Sequence, residues 1–330
     1  LDYYEPASWV AADSSSVARF SAVGFAFGRN LTDSLQVPVG LIANAVGGAP
    51  TEAWIDRSTL ELHMPDILYD FAGNDMIQAW VRGRAMRNVA GKSPEHQRHP
   101  YHPAYLYEVG MLPLEGFPVK GVIWYQGESN AHNAELHSKL FPLLVSSWRN
   151  GLSDDVPFFF AQLTSINRPS WPTFRDSQRR LADELPGVGM AVIHDLGDSL
   201  DVHPRRKMEV GRRLALLALR DTYGHSVEAS GPVPDSAVSE SDGTVVLRMS
   251  HADGMRTSDG AAPRTFELAG HDRFYYPATA TMPGDGTVVL RSDRVDRPCF
   301  VRYAWQPYTT ANLVNSAGLS ASTFEMEVRR

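Results

Sequence analysis

The sequence predicts an α/β fold, a parallel sheet with helices on both faces, followed by a small antiparallel β unit. Three observations predict it. Between residues 20 and 223, short apolar runs of strand length alternate with segments of helical period, the pattern that joins parallel strands through crossover helices. Four of those runs break abruptly into polar residues, as strands do at the ligand-binding edge of an open parallel sheet. After Ser230-Gly231-Pro232 the pattern changes to short alternating runs divided by Asp-Gly and Gly-Asp turns.

Each element follows from its local pattern. Residues 1–19 read as a polar lead-in, and Phe20, Val23, Phe27 and Leu31 recur at helical spacing up to a stop near Leu35. A doubly wound domain that opens on a helix lacks the strand that should feed it, and the chain has no initiator Met, so an upstream piece is expected. Val39–Asn44 reads as a strand that runs into Gly47-Gly48, where the backbone can turn tightly and approach a ligand. Residues 55–118, charged, Met-rich and aromatic, are too long for a simple crossover and read as an insertion packed near the site.

The organising stretch is Gly121–Ala131: Val122–Tyr125 is a strand buried on both faces, and Gln126-Gly127-Glu128-Ser129-Asn130 follows at once. Leu140, Leu144 and Trp148 mark the next helix, Val156–Leu163 a strand ending in Thr164-Ser165-Ile166-Asn167, and Phe174–Leu185 a helix stopped by Pro186-Gly187. Gly189–Ile193 is a strand ending in His194-Asp195, and Lys207–Tyr223 is a helix closed by Gly224. Two domains are expected, 1–230 and 231–330, the second carrying strands around Thr244–Leu247, Thr265–Leu268, Thr287–Leu290 and Phe300–Trp305.

Composition narrows the function. With 31 Lys plus Arg against 38 Asp plus Glu, the net charge of -7 argues against a nucleic-acid partner. The only cysteine, Cys299, gives neither a disulfide framework nor a Cys-based zinc site, and no cofactor is expected. No apolar run approaches the roughly 18 residues that span a bilayer, so no membrane partner is expected.

His203 is the strongest single candidate. Pro204 disfavours the α region for His203 and suits the first position of the next helix, so the ring sits on an extended lead-in, where Asp201 could accept its second N–H and fix the tautomer of a general base. The same Asp-Val-His-Pro could instead be a capped helix start with Asp201 as the cap. Gln126 offers an amide donor for a developing oxyanion, Glu128 a carboxylate, and Gly47 or Gly48 a backbone N–H; each could equally belong to an ordinary loop. His96, His99 and His102 are evenly spaced but lie among Pro94, Pro100 and Pro103 without an acidic or Cys partner, which argues for loop over metal. Ser129 lacks the Gly-x-Ser-x-Gly of a nucleophile elbow.

Trp124–Ala131, together with Phe20-Ser21-Ala22-Val23-Gly24 and Val37–Ile42, resembles the sialate O-acetylesterases of the SGNH hydrolase superfamily, and the likeness continues through Trp54, His203-Pro204 with Lys207, and Val301–Trp305. The resemblance implies a flavodoxin-like three-layer hydrolase that removes acetyl esters from sugar hydroxyls, sialic acid or a related glycan, through a serine nucleophile. It suggests a secreted or periplasmic setting. It also implies His203 as base, Gly47 or Gly48 and Gln126 as oxyanion donors, and Glu128 and Asn130 in support. Many of these enzymes carry an Asp three residues before the His, where this chain has Leu200, so Asp201 is the chosen acid, with Asp198, Asp195 and Glu128 behind it. The family's Gly-Gln-Ser-Asn segment is absent from these 330 residues. The nucleophile is therefore expected on an N-terminal segment or partner chain. The alternative is a carbohydrate-binding paralogue that has lost the serine.

Overall fold

The computed structural model describes residues 3–92 and 98–330. It is a mixed α/β structure with two compact units, Leu1–Phe160 with Leu181–Gly189, and Ala161–Arg180 with Met190–Arg330.

In the first unit a one-turn helix α1 (Ser14–Val17) precedes α2 (Ala22–Leu35), which Ser21 caps by accepting from the Gly24 N–H and which stops where Gln36 turns left-handed at φ 56°. Residues 55–118 form α3 (Arg57–His63), α4 (Ala79–Val89) and a π turn at Tyr107–Met111. β1 (Val122–Trp124) pairs in parallel with β2 (Phe158–Ala161), Val122 opposite Phe158. β3 (Val188–Ala191) completes a three-stranded sheet of order β1-β2-β3, joined by bonds such as Phe158 N–H to Gly187 O, 2.9 Å. Helix α5 (Ala134–Leu152), capped by Asn133, lays Phe141 and Trp148 against Phe158. Trp54 and Trp124 meet edge to face beside them, and the Trp148 indole N–H donates to Trp54 O at 2.8 Å. Each such ring contributes roughly 1.5–3 kcal/mol of burial. This aromatic block therefore anchors the strand that carries Gln126–Asn130.

Residues 39–44 are irregular, where the sequence predicts a strand. A strand needs a ladder partner, and among the described residues β1 pairs with β2 alone and nothing pairs with residues 39–44. Val37 and Ile42 consequently stand 50% and 42% exposed.

In the second unit, α6 (Trp171–Glu184) carries Arg175, which is fully buried. Its guanidinium donates to Thr323 Oγ1 and to the carbonyls of Ala304, Gln306 and Pro307, so it bolts the helix to the C-terminal chain. Burial lowers its pKa to about 9. Helix α7 (Lys207–Asp221) follows the His203 loop. It begins three residues after Pro204 and no side chain caps it, so neither Pro204 as first helical residue nor Asp201 as cap is realised. The Asp201 carboxylate turns to the His203 N–H instead, at 2.9 Å.

From residue 233 the chain is all β, as the alternating runs predict. β4 (Val233–Ser239), β5 (Val245–Ser250), β6 (Arg256–Thr257), β7 (Phe266–Ala269), β8 (Tyr275–Pro277), β9 (Thr279–Gly284), β10 (Thr287–Arg291), β11 (Phe300–Tyr303), β12 (Leu313–Val314) and β13 (Phe324–Glu327) pair antiparallel. They form two four-stranded sheets, β4-β5-β10-β9 and β13-β11-β7-β8, and the small pair β12-β6, around a core that includes Leu247, Phe266, Leu290, Tyr303 and Phe324.

Candidate active site

The Gly47-Gly48 turn is held at both carbonyls. The Tyr101 hydroxyl donates to Gly47 O at 2.7 Å and the Ser129 hydroxyl to Gly48 O at 2.9 Å. A trans peptide points its N–H opposite to the preceding carbonyl, so fixing Gly47 O on Tyr101 turns the Gly48 N–H away from the tyrosine. Among the described residues no protein group accepts from that N–H. Only glycine fits here: φ is +80°, and an added methyl would lie 2.5 Å from the Tyr101 oxygen and 2.9 Å from the Trp80 ring. The result is a locked backbone donor, the kind of group that stabilises an oxyanion without reorganising.

Beside the turn lies a buried polar network. Asn130, 2% exposed, donates from Nδ2 to Glu52 Oε2 at 2.9 Å, and its Oδ1 accepts from the Thr51 N–H at 2.9 Å and from Gln126 Nε2 at 2.7 Å. Gln126 Nε2 also donates to Ala49 O at 3.2 Å, and Gln126 Oε1 accepts from the Thr51 hydroxyl at 2.8 Å. Both amide hydrogens of Gln126 are thus engaged, the one to Ala49 more loosely. Glu52 is 1% exposed, and burial pushes its carboxyl up to about 7 against its own backbone N–H and the Asn130 amide. A carboxylate bonded to one orientation of the Asn130 amide decides which way that amide faces, and hence which way Gln126 faces.

The structure thus brings Gly47, Gly48, Gln126, Ser129 and Asn130 together within the first unit. Thr51 and Glu52, which complete the network, were not among the sequence candidates; their signal was a charged residue set between a Gly-Gly-Ala-Pro turn and the apolar Ala53-Trp54-Ile55. Glu128 is half-buried. Tyr101 and Trp80 come from residues 55–118.

Asp201 and His203 pair within the second unit. His203 Nδ1 lies 2.9 Å from Asp201 Oδ1, and the same oxygen accepts the His203 backbone N–H at 2.9 Å. That backbone bond first, then the ring contact, holds Asp201 below the usual carboxylate range. The His203 ring is open, its side chain 78% exposed. Other acids are engaged elsewhere. Asp195 makes a bidentate pair with Arg213 at 2.6 and 2.7 Å, and Asp198 accepts the Leu200 N–H at 2.8 Å. Burial raises Asp195, but the bonds and charge of Arg213 outweigh it and leave the carboxyl lowered.

Two of the polar strand ends serve the fold instead. His194 is buried with Nε2 2.7 Å from Ala321 O, and Ser165 donates to His194 O at 2.8 Å. His99 and His102 are tied into their own turn: His99 Nδ1 accepts from the Tyr101 N–H at 3.1 Å, its Nε2 meets the Asn88 amide at 2.9 Å, and His102 Nδ1 accepts from the His99 N–H at 2.9 Å. His96 lies outside the described residues.

Comparison with known proteins now gives this arrangement a family. A model described as a carbohydrate esterase, sialic acid-specific acetylesterase, matches residues 72–220, a range that includes Gln126, Asn130, Asp201 and His203. The chain is 30% identical to sialate O-acetylesterase of Mus musculus over 86% of this chain and 58% of that protein, and 33% identical to that of Homo sapiens over 65% and 42%. The crystal structure of a carbohydrate acetylesterase from Xanthomonas citri superposes with a TM-score of 0.81 at 33% identity, covering 97% of this chain and 68% of that one. The chain belongs to the sialate O-acetylesterase family. It spans about half the length of the mammalian family members it matches. Gly47, Gly48 and Glu52 fall outside the segment matched by the family model, and it is their geometry that ties them to Asn130 and Ser129. Among the described residues no helix is long and apolar enough to cross a membrane.

Proposed function

We propose that this chain is the core of a carbohydrate O-acetylesterase of the SGNH type, with a flavodoxin-like three-layer domain over residues 1–230 and a separate β-rich domain over 231–330. In this reading a serine attacks the acetyl carbonyl, and His203 takes its proton on Nε2 while Nδ1–H is held by Asp201. The Gly48 N–H receives the oxyanion, and Gln126 joins it by releasing its longer bond to Ala49 O. The acetyl group passes to the serine, the sugar alcohol leaves with the proton from His203, and a water activated by the same ring releases acetate.

The observation that carries the reading is the 2.9 Å Asp201–His203 pair, which gives an exposed imidazole a fixed tautomer. The nucleophile is proposed to lie outside these 330 residues, because Ser129, the serine at the Gly48 turn, is 5% exposed and spends its hydroxyl on Gly48 O. His203→Ala in the full-length protein tests the reading, with an expected fall in kcat of about 10²-fold or more on an acetylated sugar. Turnover within a few-fold of wild type would remove His203 from the mechanism. No hydrolysis by wild type, alongside retained sugar binding, would favour the non-catalytic paralogue.

A further inference from the structure

The second unit holds a polar cleft that neither the fold nor the proposed chemistry uses. Its volume is about 490 Å³. Helix α6 supplies Arg179 and Arg180 to it, the sheet β13-β11-β7-β8 supplies Phe300, Glu325 and Glu327, and the turn between β7 and β8 supplies Arg273. β13 is the end strand of that sheet. The Val328 N–H donates to Cys299 O at 2.8 Å, and in an antiparallel ladder alternate residues bond to one neighbour. Phe324 and Met326 therefore bond to β11, and the N–H and C=O groups of Glu325 and Glu327 point outward from the edge. Past them the edge closes, since the Arg329 N–H donates to Ala237 O at 2.8 Å and the Ser239 N–H to Arg329 O at 2.7 Å. The cations are held in place. Arg179 Nε and Arg180 Nε each donate to Asp176 at 3.0 Å, and Arg273 donates to Glu325 Oε1 at 2.9 Å while its guanidinium carbon lies 4.0 Å from the Phe300 ring centroid. No cation among the described residues pairs with the Glu327 carboxylate.

We propose that this cleft binds a neutral saccharide, as a second carbohydrate site built from the second unit alone. A sugar hydroxyl donates one hydrogen bond and accepts up to two, so neighbouring hydroxyls need donors and acceptors side by side. The cleft offers that mixture. Guanidinium and strand N–H groups donate, and the Glu327 carboxylate and strand carbonyls accept. The charges cancel, the guanidiniums of Arg179, Arg180 and Arg273 against the carboxylates of Asp176, Glu325 and Glu327, so a small anion gains no net attraction and meets Glu327 uncompensated. An extended peptide fits poorly too, because only Glu325 and Glu327 present backbone to the edge, and charges on a short edge strand oppose strand addition. The anchoring pairs fix the donors before the ligand arrives, which lowers the ordering cost of binding. With Phe300 only 9% exposed and covered by Arg273, recognition runs through hydroxyls exchanged from water, and the affinity is modest. The cleft shares no residue with the candidate active site and does not depend on the proposed hydrolysis.

The test is binding of three neutral, unacetylated probes, lactose, cellotriose and mannotriose, to the full-length protein, followed by saturation-transfer NMR titration. Wild type is expected to bind at least one of them with a Kd of about 1 mM. Arg180→Ala and Glu327→Ala, both at exposed positions, are each expected to weaken that binding about fivefold to tenfold, the worth of about one hydrogen bond to a charged group. The melting temperature and the rate of p-nitrophenyl acetate hydrolysis are expected to stay at their wild-type values in both variants. Binding of none of the three probes, or undiminished binding by either variant, would overturn the proposal. Displacement of the sugar by sodium sulfate in wild type but not in Arg180→Ala would also overturn it, by making the cleft an anion site.

Discussion

Replacing Glu52 with Gln is expected to remove the pH dependence that this residue imposes on stability. Its carboxyl is 1% exposed and raised from 4.5 to about 7 by burial. Below pH 4.5 it is protonated in both folded and unfolded chains. As pH rises from there towards 7, the unfolded chain releases the proton while the folded chain retains it, so stability falls across that window and levels off above it. A rise of about 2.5 units corresponds to roughly 3 kcal/mol, at about 1.4 kcal/mol per unit. Glutamine keeps an acceptor for Asn130 Nδ2 but loses the second oxygen, a cost of about 1 kcal/mol at any pH. Glu52→Gln should therefore be slightly less stable than wild type near pH 4.5 and more stable at pH 8, a swing of roughly 3 kcal/mol. For 330 residues that is about 4 °C in melting temperature, taking about 2.1 cal/mol/K of unfolding entropy per residue. Thermal melts of both proteins at pH 4.5, 6 and 8 measure it. Parallel profiles would show that Glu52 titrates normally and does not set the Asn130 amide.

Gln126→Ala is expected to lower kcat by about 10² to 10³ with a much smaller change in KM, as for loss of one oxyanion donor; a change confined to KM, in steady-state kinetics, would make Gln126 a substrate-binding residue. Gly48→Ala forces a side chain into the left-handed region, a strain of about 1–2 kcal/mol, and drives its methyl into Tyr101 and Trp80. It should lower the melting temperature and abolish turnover; near-wild-type activity would exclude the Gly48 N–H as donor.

Much of the architecture was legible because it rests on short-range pattern. The helix of residues 207–221, the sheet strands at 122 and 158, and the shift to β structure near 233 all follow periodicity, which burial enforces one residue at a time. The Asp201–His203 pair was legible for the same reason: only two residues apart, they have few ways not to meet. Residues 39–44 were not, since a strand depends on its neighbour and local composition carries no record of whether one is present. The Glu52–Asn130 bond joins residues 78 apart, and the Tyr101–Gly47 bond residues 54 apart. Such contacts are made by tertiary packing, and residues 55–118, which supply Tyr101, show no clean amphipathic period in the sequence. Glu52 in particular looks like a surface residue until its neighbours are seen to bury it.

The central claim is that these residues supply the base and the oxyanion turn but not the nucleophile. Fluorophosphonate labelling of the full-length protein and, separately, of the 330-residue chain, with the adduct mapped by peptide mass spectrometry, tests it most directly. The account predicts a stoichiometric adduct on a serine outside this chain and none on the chain alone. An adduct on Ser129, with matching loss of acetylesterase activity, would contradict it, since that hydroxyl would then attack the ester and could not remain the anchor of Gly48.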